Sequence, residues 1–352
     1  MKIWTEMDVN KVYIMMGFAC NFHCKYCVQN GQSRCPNIST KVSDKLINYL
    51  KRLHDIRPEV KNKITIMFWG GEPLLYFDTI KEIITKLEDY DFDYGTVTNG
   101  SLLTEEIVEY FNANNVGVAI SNDGINSKNT RIKNVLEDER IVELIKKLDN
   151  VSINSVISAY NQDFLATSEY VKNIFGDKNI GVNWEWLMCD EHTAKDLYNI
   201  DIDKFKIDTK RFFDKCKEDI LNATDLSSEL RFVKPYLNRM VNVLGNNIDL
   251  YPACSPVRQV INVDLEGNCY ACHPAPKIGD VATPHSDMLD VYQKEFNHAF
   301  TYADCGQCEY ILLCKAGCPL ELACDGKIHI CKAKRIFYKE LYSFVESFGG
   351  HL

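Results

Sequence analysis

The chain has 352 residues, of which 46% are hydrophobic and 25% charged, a composition typical of a globular protein with one large core or two smaller ones. The formal net charge of −9 argues against a nucleic-acid-binding surface, which is normally basic. No stretch is apolar enough to span a membrane, and the N-terminus lacks the apolar segment of a signal peptide, so we expect a cytoplasmic protein.

The first 190 residues alternate short β-like runs with helical stretches. Helices are predicted at 43–53, 77–87 and 104–113, between six runs that have the character of strands: 11–16, 64–69, 94–98, 116–121, 151–157 and 182–187. This alternation predicts βα units around a parallel sheet. Six units are too few for a closed eight-stranded barrel, so we predict an α/β fold with a partial (β/α)6 TIM barrel.

The second half has a different character. Residues 200–245 look helical and polar, whereas from 251 to 331 regular elements become short and cysteines become dense. A small metal-stapled domain is expected there, followed by a closing amphipathic helix over 335–348. The predicted organisation is therefore a barrel over 1–200, a helical connection over 201–250 and a small cysteine-rich domain over 251–352.

Fifteen cysteines stand out against the ordinary composition. Disulfides are rare in a reducing cytosol, so metal binding or catalysis is the better interpretation. Three cysteines lie between positions 20 and 27 and nine between positions 254 and 331. Cys35, Cys189 and Cys216 lie outside both groups, and we interpret them as ordinary small buried residues.

The loop after the first predicted strand carries Cys20, Cys24 and Cys27. Three thiolates on a tight loop can hold a four-iron cluster that is one ligand short, whereas a full set of four suits electron transfer. A zinc site without its fourth ligand is the alternative. His23, inside this loop, is interpreted as a solvent-facing spacer.

Other polar groups follow the next strands of the predicted barrel. The second strand ends at the run Gly70-Gly71-Glu72-Pro73, and Asn99 and Ser121 follow the third and fourth strands. Because parallel barrels carry their working loops at the carboxyl ends of the strands, these groups should neighbour the three-cysteine loop. Paired glycines allow a ligand to approach the backbone closely, and Glu72 could accept hydrogen bonds from an ammonium group.

This combination resembles the radical S-adenosylmethionine (radical SAM) superfamily over residues 11 to about 190. The resemblance implies that the three cysteines bind a [4Fe-4S] cluster whose open iron is chelated by SAM. In that family the reduced cluster cleaves SAM to methionine and a 5′-deoxyadenosyl radical, which abstracts a substrate hydrogen. It also implies a set of cofactor-binding residues: Tyr26 at the adenine, Gly70, Gly71 and Glu72 at the methionine amine, Ser121 near the ribose, Arg131 at the carboxylate, and Pro73 and Asn99 beside them on the same rim.

The later cysteines resemble the SPASM domain, which extends some radical SAM enzymes and carries two auxiliary [4Fe-4S] clusters. The resemblance implies two ligand sets: Cys254, Cys272 and Cys318 for the first auxiliary cluster, and Cys305, Cys308, Cys314 and Cys331 for the second. Either Cys269 supplies the fourth ligand of the first set, or an iron stays open for substrate. A pair of zinc sites is the alternative for this domain.

The SPASM subset acts mostly on peptides and proteins, so we favour a peptide maturase that forms a crosslink or an oxidised residue. The alternatives are an anaerobic sulfatase maturase that makes formylglycine, a sugar or small-molecule dehydrogenase, and a non-enzymatic cysteine-rich metal-binding scaffold. The sulfatase-maturing branch has an Asp after the second cysteine of the domain, where this chain has His273. An imidazole there could act as a base near neutral pH.

The expected partners follow from this interpretation. They are a peptide or protein substrate and a low-potential electron donor of the flavodoxin or ferredoxin type. Many peptide-crosslinking relatives begin with a leader-binding domain, but here the first strand starts near residue 11, so a separate leader-peptide-binding protein is expected if one is used. Neither nucleic acid nor a membrane is expected as a partner.

Overall fold

The computed structural model describes twelve parts of the chain, namely residues 5–29, 41–57, 63–176, 178, 180–189, 193–222, 227–244, 258–272, 275–296, 305–315, 317–318 and 325–349. Within these parts, no helix is long and apolar enough to cross a membrane. The fold is mixed α/β and is built on a largely parallel sheet.

One sheet contains all the strands of the described residues, which are β1 (Lys11–Met15), β2 (Ile64–Trp69), β3 (Phe92–Thr98), β4 (Val116–Ser121), β5 (Val151–Ile157), β6 (Gly181–Trp186), β7 (Val260–Asp264), β8 (Asn268–Tyr270) and β9 (Lys277–Asp280). Their order is β6-β5-β4-β3-β2-β1-β7-β8-β9. The six strands predicted for the barrel are confirmed to within two residues at each end. The partial parallel barrel is confirmed as well.

The helices of the described residues are α1 (Asp44–Asp55), α2 (Phe77–Lys86), α3 (Glu105–Ala113), α4 (Ser127–Arg131), α5 (Glu139–Lys147), α6 (Phe164–Phe175), α7 (Lys195–Tyr198), α8 (Ile202–Leu221), α9 (Ser228–Leu244), α10 (His285–Phe296), α11 (Ile311–Cys314) and α12 (Asp325–Glu346). Ser43 caps α1, because its hydroxyl accepts the N–H of Leu46 at 3.2 Å. The closing helix α12 begins ten residues earlier than the sequence pattern predicted.

The sheet continues from the barrel into the cysteine-rich segment. β7 pairs in parallel with β1, with Lys11 opposite Val260 and Met15 opposite Asp264. β8 and β9 then extend the same sheet as antiparallel strands. The division into three segments stays a prediction, but residues on both sides of position 250 contribute strands to this sheet.

An aromatic cluster fixes the last helix against the barrel. Trp184 on β6 points away from the concave face of the sheet and packs edge-on against Phe164 of α6, with ring centroids 5.8 Å apart. Phe232 of α9 and Phe337 of α12 join the same cluster, their centroids 5.6 Å apart. Aromatic side chains of this size bury more apolar area than other residues. This packing therefore positions α12 beside the carboxyl end of β6.

Candidate active site

A cavity of about 570 Å³ lies at the carboxyl ends of the parallel strands. Its lining includes many of the residues selected from the sequence, namely Cys20, Cys24, Tyr26, Cys27, Gly70, Gly71, Glu72, Asn99, Ser121, Arg131, Cys272, Cys314 and Cys318. A volume in this range suits a cofactor or another small molecule. The cavity thus joins the three-cysteine loop to part of the C-terminal cysteine group.

The three-cysteine loop and the glycine-rich loop pair directly through their backbones. The N–H of Gly71 donates to the carbonyl of Gly17, and the N–H of Glu72 donates to the carbonyl of Ala19, both at 2.8 Å. A Cβ at Gly71 would overlap the Ala19 carbonyl oxygen, so glycine is required for this approach. The predicted neighbourhood of the two loops is confirmed.

The three thiols of the first loop are all half-buried. Burial raises the pKa of Cys24 to about 11, although the nearby Arg131 guanidinium opposes this shift. Bound metal would stabilise the thiolate form, which is the form that ligates iron. His23 is exposed, as predicted.

No three His, Cys, Asp or Glu side chains among the described residues come together around a single metal ion. The thiolates of a four-iron cluster do not need to do so, because each of them binds a different iron atom. The donor set of the first loop, three thiols facing one cavity, therefore fits a cluster with one iron left for another ligand.

Glu72 is buried, and its carboxylate is held by three hydrogen bonds. One oxygen accepts the Thr98 hydroxyl at 2.6 Å and the Leu74 N–H at 3.0 Å, and the other accepts the Asn99 N–H at 2.8 Å. Burial raises the pKa of Glu72, and the hydrogen bonds oppose that shift. A carboxylate offers about four acceptor positions, so one remains for a cationic ligand group.

The other rim residues are also fixed by local bonds. The Asn99 amide donates to the side-chain oxygen of Asn21 on the three-cysteine loop at 2.8 Å. Pro73 is buried and begins a short 3-10 turn, Pro73–Tyr76, rather than facing the cavity. Ser121 ends β4 and lines the cavity.

A buried network centred on Asp123 was missed by the sequence interpretation. Asp123 accepts the Tyr26 hydroxyl at 2.5 Å, the Thr130 hydroxyl at 2.6 Å and the Arg131 Nε–H at 3.0 Å. Its second oxygen accepts the Val156 N–H at 2.9 Å. Burial lowers the pKa of Arg131, but Asp123 outweighs that effect and keeps it above its ordinary value.

The far wall of the cavity is aromatic and cationic, and sequence patterns did not reveal it. The Trp186 indole N–H donates to the Tyr236 hydroxyl at 3.0 Å. The Arg239 guanidinium lies 5.5 Å from the Tyr236 ring centre, and the Lys334 ammonium lies 5.7 Å from the Trp186 ring centre. These residues come from β6, α9 and α12, which are distant in sequence.

Apart from Cys269, the described C-terminal cysteines form two groups that share Cys314. Cys272 and Cys318 line the cavity together with Cys314. Burial raises the pKa of Cys305, and the nearby Cys331, Cys314 and Cys308 thiols raise it further, so these four cysteines are neighbours. Arg335 lies within hydrogen-bonding reach of the thiols of Cys308 and Cys331. Cys35, Cys254 and His273 lie outside the described residues.

Cys269 occupies a different environment from the other cysteines. It pairs with Val263 on β7, and Val263 pairs with Ile14 on β1, so the three side chains share one face of the sheet. That face is covered by helices, since Ile14 is fully buried and the Cys269 thiol affects the pKa of Tyr49 on α1. Burial raises the pKa of Cys269 to about 12. Cys269 is not among the residues that line the cavity.

Comparisons with known proteins agree with this geometry. The radical SAM superfamily matches residues 14–161. The radical SAM cyclopropyl synthase TigE of Paramaledivibacter caminithermalis is 30% identical over 184 residues, which is 46% of this chain and 38% of that protein. The chain therefore spans less than half the length of that relative.

Two further relatives extend over most of the chain. The cysteine-type anaerobic sulfatase-maturating enzyme of Clostridium novyi is 23% identical over 85% of this chain and 84% of its own length. The solved structure of native anSMEcpe with bound AdoMet and Cp18Cys peptide superimposes with a TM-score of 0.68 at 17% identity, covering 97% of this chain and 98% of that chain. At this identity the structural likeness establishes the fold. Residues 14–161 match the radical SAM superfamily, so this part of the chain is a radical SAM domain.

Proposed function

We propose that this chain is a radical SAM oxidoreductase that abstracts a hydrogen atom from a peptide substrate and leaves a crosslink or an oxidised residue. The observation that carries the proposal is the shared cavity, into which both the three-cysteine loop and Cys272 and Cys318 face. A radical SAM domain implies a [4Fe-4S] cluster and SAM, and bound SAM supplies the 5′-deoxyadenosyl radical.

The residues of the first loop and its neighbours would hold these groups. Cys20, Cys24 and Cys27 would ligate the cluster. The remaining acceptor position of Glu72 would take the methionine ammonium, because an ammonium group only donates hydrogen bonds and needs an acceptor. The face of Arg131 not bonded to Asp123 is available to the cofactor carboxylate, and Tyr26, Asn99 and Ser121 would border the nucleoside.

Two auxiliary clusters are proposed for the C-terminal cysteines. The proximity of Cys305 to Cys308, Cys314 and Cys331 supports one complete set of four ligands. Cys272 and Cys318, together with Cys254, would ligate the first auxiliary cluster. The position of Cys269 on the helix-covered face of the sheet argues against it as a fourth ligand. We therefore favour a first auxiliary cluster that has these three cysteine ligands and no fourth.

A peptide substrate is supported by the extent of the cavity and by the compared proteins. The cavity reaches from the three-cysteine loop to the aromatic wall of Trp186, Tyr236 and Tyr338, which leaves room beyond a cofactor site for a side chain. The structurally similar anSMEcpe was solved with a bound peptide. A low-potential flavodoxin or ferredoxin would supply the electron for SAM cleavage, and a separate protein would bind any leader peptide.

A sulfatase maturase is the second candidate, since the Clostridium novyi sulfatase-maturating enzyme matches this chain over most of both lengths. In this alternative the substrate is a Cys or Ser of a sulfatase, and His273 would be the base. A synthetic peptide that carries a cysteine in the sulfatase target sequence distinguishes the two candidates. Conversion of this cysteine to formylglycine removes two hydrogens and also replaces sulfur by oxygen, whereas a crosslink removes only the two hydrogens.

The activity is tested by anaerobic reconstitution with iron and sulfide, followed by reduction in the presence of SAM. The wild-type chain should release 5′-deoxyadenosine, and Cys24→Ala should abolish that release. Cys216→Ala is the matched control, because Cys216 is buried inside α8, away from the cavity. Zinc binding without cofactor cleavage by the wild-type chain would contradict the proposal.

The substrate class is tested by incubating the active enzyme with short peptides encoded beside its gene. A mass loss of two hydrogens would support crosslinking or oxidation. Unchanged peptide masses, together with normal SAM cleavage, would favour a sugar or another small-molecule substrate.

A further inference from the structure

β6 directs two polar side chains into the barrel. Side chains alternate along a strand, and Val182 and Trp184 are buried under helices, so Asn183 and Glu185 face the concave side. Asn183 is held by β5, because its amide donates to Asn154 at 3.0 Å. Glu185 is two residues further along, where the strand reaches the cavity.

The side chain of Glu185 is solvent-exposed, and it lines the cavity. The protein atoms around the cavity displace water and raise the pKa of the Glu185 carboxyl group, and the charge of Arg131 opposes that shift. Within the described part of the chain, Glu185 makes no hydrogen bond and no ion pair. All acceptor positions of this carboxylate are therefore available to a cation that enters the cavity.

The other charged groups that line the cavity already have partners. Glu72 accepts three hydrogen bonds, and Arg131 is paired with Asp123. Arg239 donates to the carbonyl of Leu313 at 3.2 Å, and Lys334 lies over the ring of Trp186. Among the described cavity residues, Glu185 is thus the charged group without a partner of its own.

The surroundings of Glu185 are aromatic. Its charge raises the pKa of Tyr13, a smaller effect there than burial, and the Tyr13 ring lies 5.0 Å from that of Trp69. Trp186, the next residue on β6, adds another ring to the cavity wall. A carboxylate beside aromatic faces suits a cation on a long aliphatic stem, because the stem packs on the rings while the head pairs with the acid.

We propose that Glu185 binds a cationic substrate side chain, the ammonium of a lysine or the guanidinium of an arginine, and so selects peptides that present such a residue to the radical site. The inference rests on the proposed peptide-modifying function and adds a substrate class to it. Glu185 is a specificity-determining residue in this proposal, separate from the residues that would hold SAM.

The test measures binding of four probe peptides to the reconstituted enzyme with SAM, by equilibrium dialysis. The peptides are acetyl-Gly-Gly-Xaa-Gly-Gly-amide, with Xaa lysine, arginine, norleucine or glutamate. The wild-type enzyme should bind the lysine and arginine peptides about 10-fold more tightly than the norleucine peptide. In Glu185→Gln this preference should fall to within about 2-fold, since the amide keeps the shape but loses the charge.

Two further variants control for folding and for general charge effects. Glu185→Asp keeps the charge on a shorter side chain and should retain part of the preference. Glu266→Gln removes an exposed carboxylate of the cysteine-rich segment, outside the cavity, and should bind all four peptides as the wild-type enzyme does. Release of 5′-deoxyadenosine without peptide should be equal in the wild-type, Glu185→Gln and Glu266→Gln enzymes.

Three results would overturn the inference. The first is equal affinity of the wild-type enzyme for the lysine and norleucine peptides, which includes the case that neither binds measurably. The second is an unchanged preference for the cationic peptides in Glu185→Gln. The third is a loss of SAM cleavage without peptide in Glu185→Gln. The last result would assign Glu185 to the cofactor. Failure of the proposed function has a different signature, which is the absence of SAM cleavage by the wild-type enzyme.

Discussion

The Nε–H of Arg131 donates to Asp123 at 3.0 Å, with both side chains buried and the guanidinium 5.1 Å from the centre of the Tyr26 ring. Tyr26 belongs to the three-cysteine loop, and its hydroxyl donates to the same Asp123 oxygen. The Lys25 N–H also donates to the Thr130 carbonyl at 2.8 Å. The segment after β4 therefore holds the three-cysteine loop in place from the side opposite the glycine-rich loop.

Asp123→Asn should destabilise the protein strongly. The substitution leaves the Arg131 guanidinium buried without its counter-charge, and breaking such a pair typically costs about 3–5 kcal/mol. Urea unfolding of the anaerobically purified protein measures the change in free energy. Asp93→Asn, which alters an exposed carboxylate on β3, is the control and should change stability by less than about 0.5 kcal/mol. A loss below about 1 kcal/mol for Asp123→Asn would contradict the central role of this pair.

Glu72→Gln should weaken both the fold and SAM binding. One carboxylate oxygen becomes an NH2 group that faces either the Asn99 N–H or the Thr98 and Leu74 donors, so at least one buried hydrogen bond is lost. An unsatisfied buried donor costs about 1–3 kcal/mol. Thermal unfolding and equilibrium dialysis with SAM measure the two effects. Wild-type SAM affinity in a folded variant would contradict a role for Glu72 at the methionine ammonium.

Gly71→Ala should separate the two loops that line the cavity. The new methyl group would overlap the Ala19 carbonyl, and the two 2.8 Å backbone bonds between the loops would lengthen or break. We expect less of the cluster that Cys20, Cys24 and Cys27 would hold, and slower SAM cleavage. Iron content and 5′-deoxyadenosine release measure the two effects. Gly176→Ala is not strain-free, since its φ is +58°, but no atom lies within 4 Å of its added methyl. It therefore controls for loss of a glycine without a clash, and should keep the iron content of the wild-type protein.

Cys308→Ala should remove one complete cluster and leave the others. If Cys305, Cys308, Cys314 and Cys331 bind one [4Fe-4S] cluster, its loss lowers the iron content by about four atoms per chain. Cys269→Ala should leave iron content unchanged, because Cys269 faces the helix-covered side of the sheet. Iron analysis and electron paramagnetic resonance of the reduced proteins measure both outcomes. An equal loss of iron in Cys269→Ala would show that Cys269 is a ligand.

The barrel strands were predictable because their signals are local. Runs such as Ile64–Trp69 are apolar, of strand length and closed by glycine or asparagine. β7 was not predicted as part of the sheet, since Val260–Asp264 is short and its pairing with β1 spans about 250 residues of sequence. Long-range pairing of this kind leaves no trace in periodicity.

The motif residues of the candidate site were also predictable from the sequence, whereas the residues that support them were not. Motif residues such as Cys24 and Glu72 lie together as expected, because their loops follow adjacent parallel strands. Asp123 was missed because its role depends on partners from three other segments. Glu185 did leave a signal, the polar residues at alternate positions of β6, which indicate a strand face turned toward a cavity instead of a core.

The parallel pairing of β7 with β1 has a practical consequence for anyone who shortens this protein. Removal of everything after residue 250 would strip one side of β1 of its partner and leave its backbone N–H and C=O groups without hydrogen bonds. Exposed strand edges of this kind recruit other chains and promote aggregation. The N-terminal segment is therefore a poor candidate for grafting or for crystallisation as an isolated fragment, however complete its sequence motifs look.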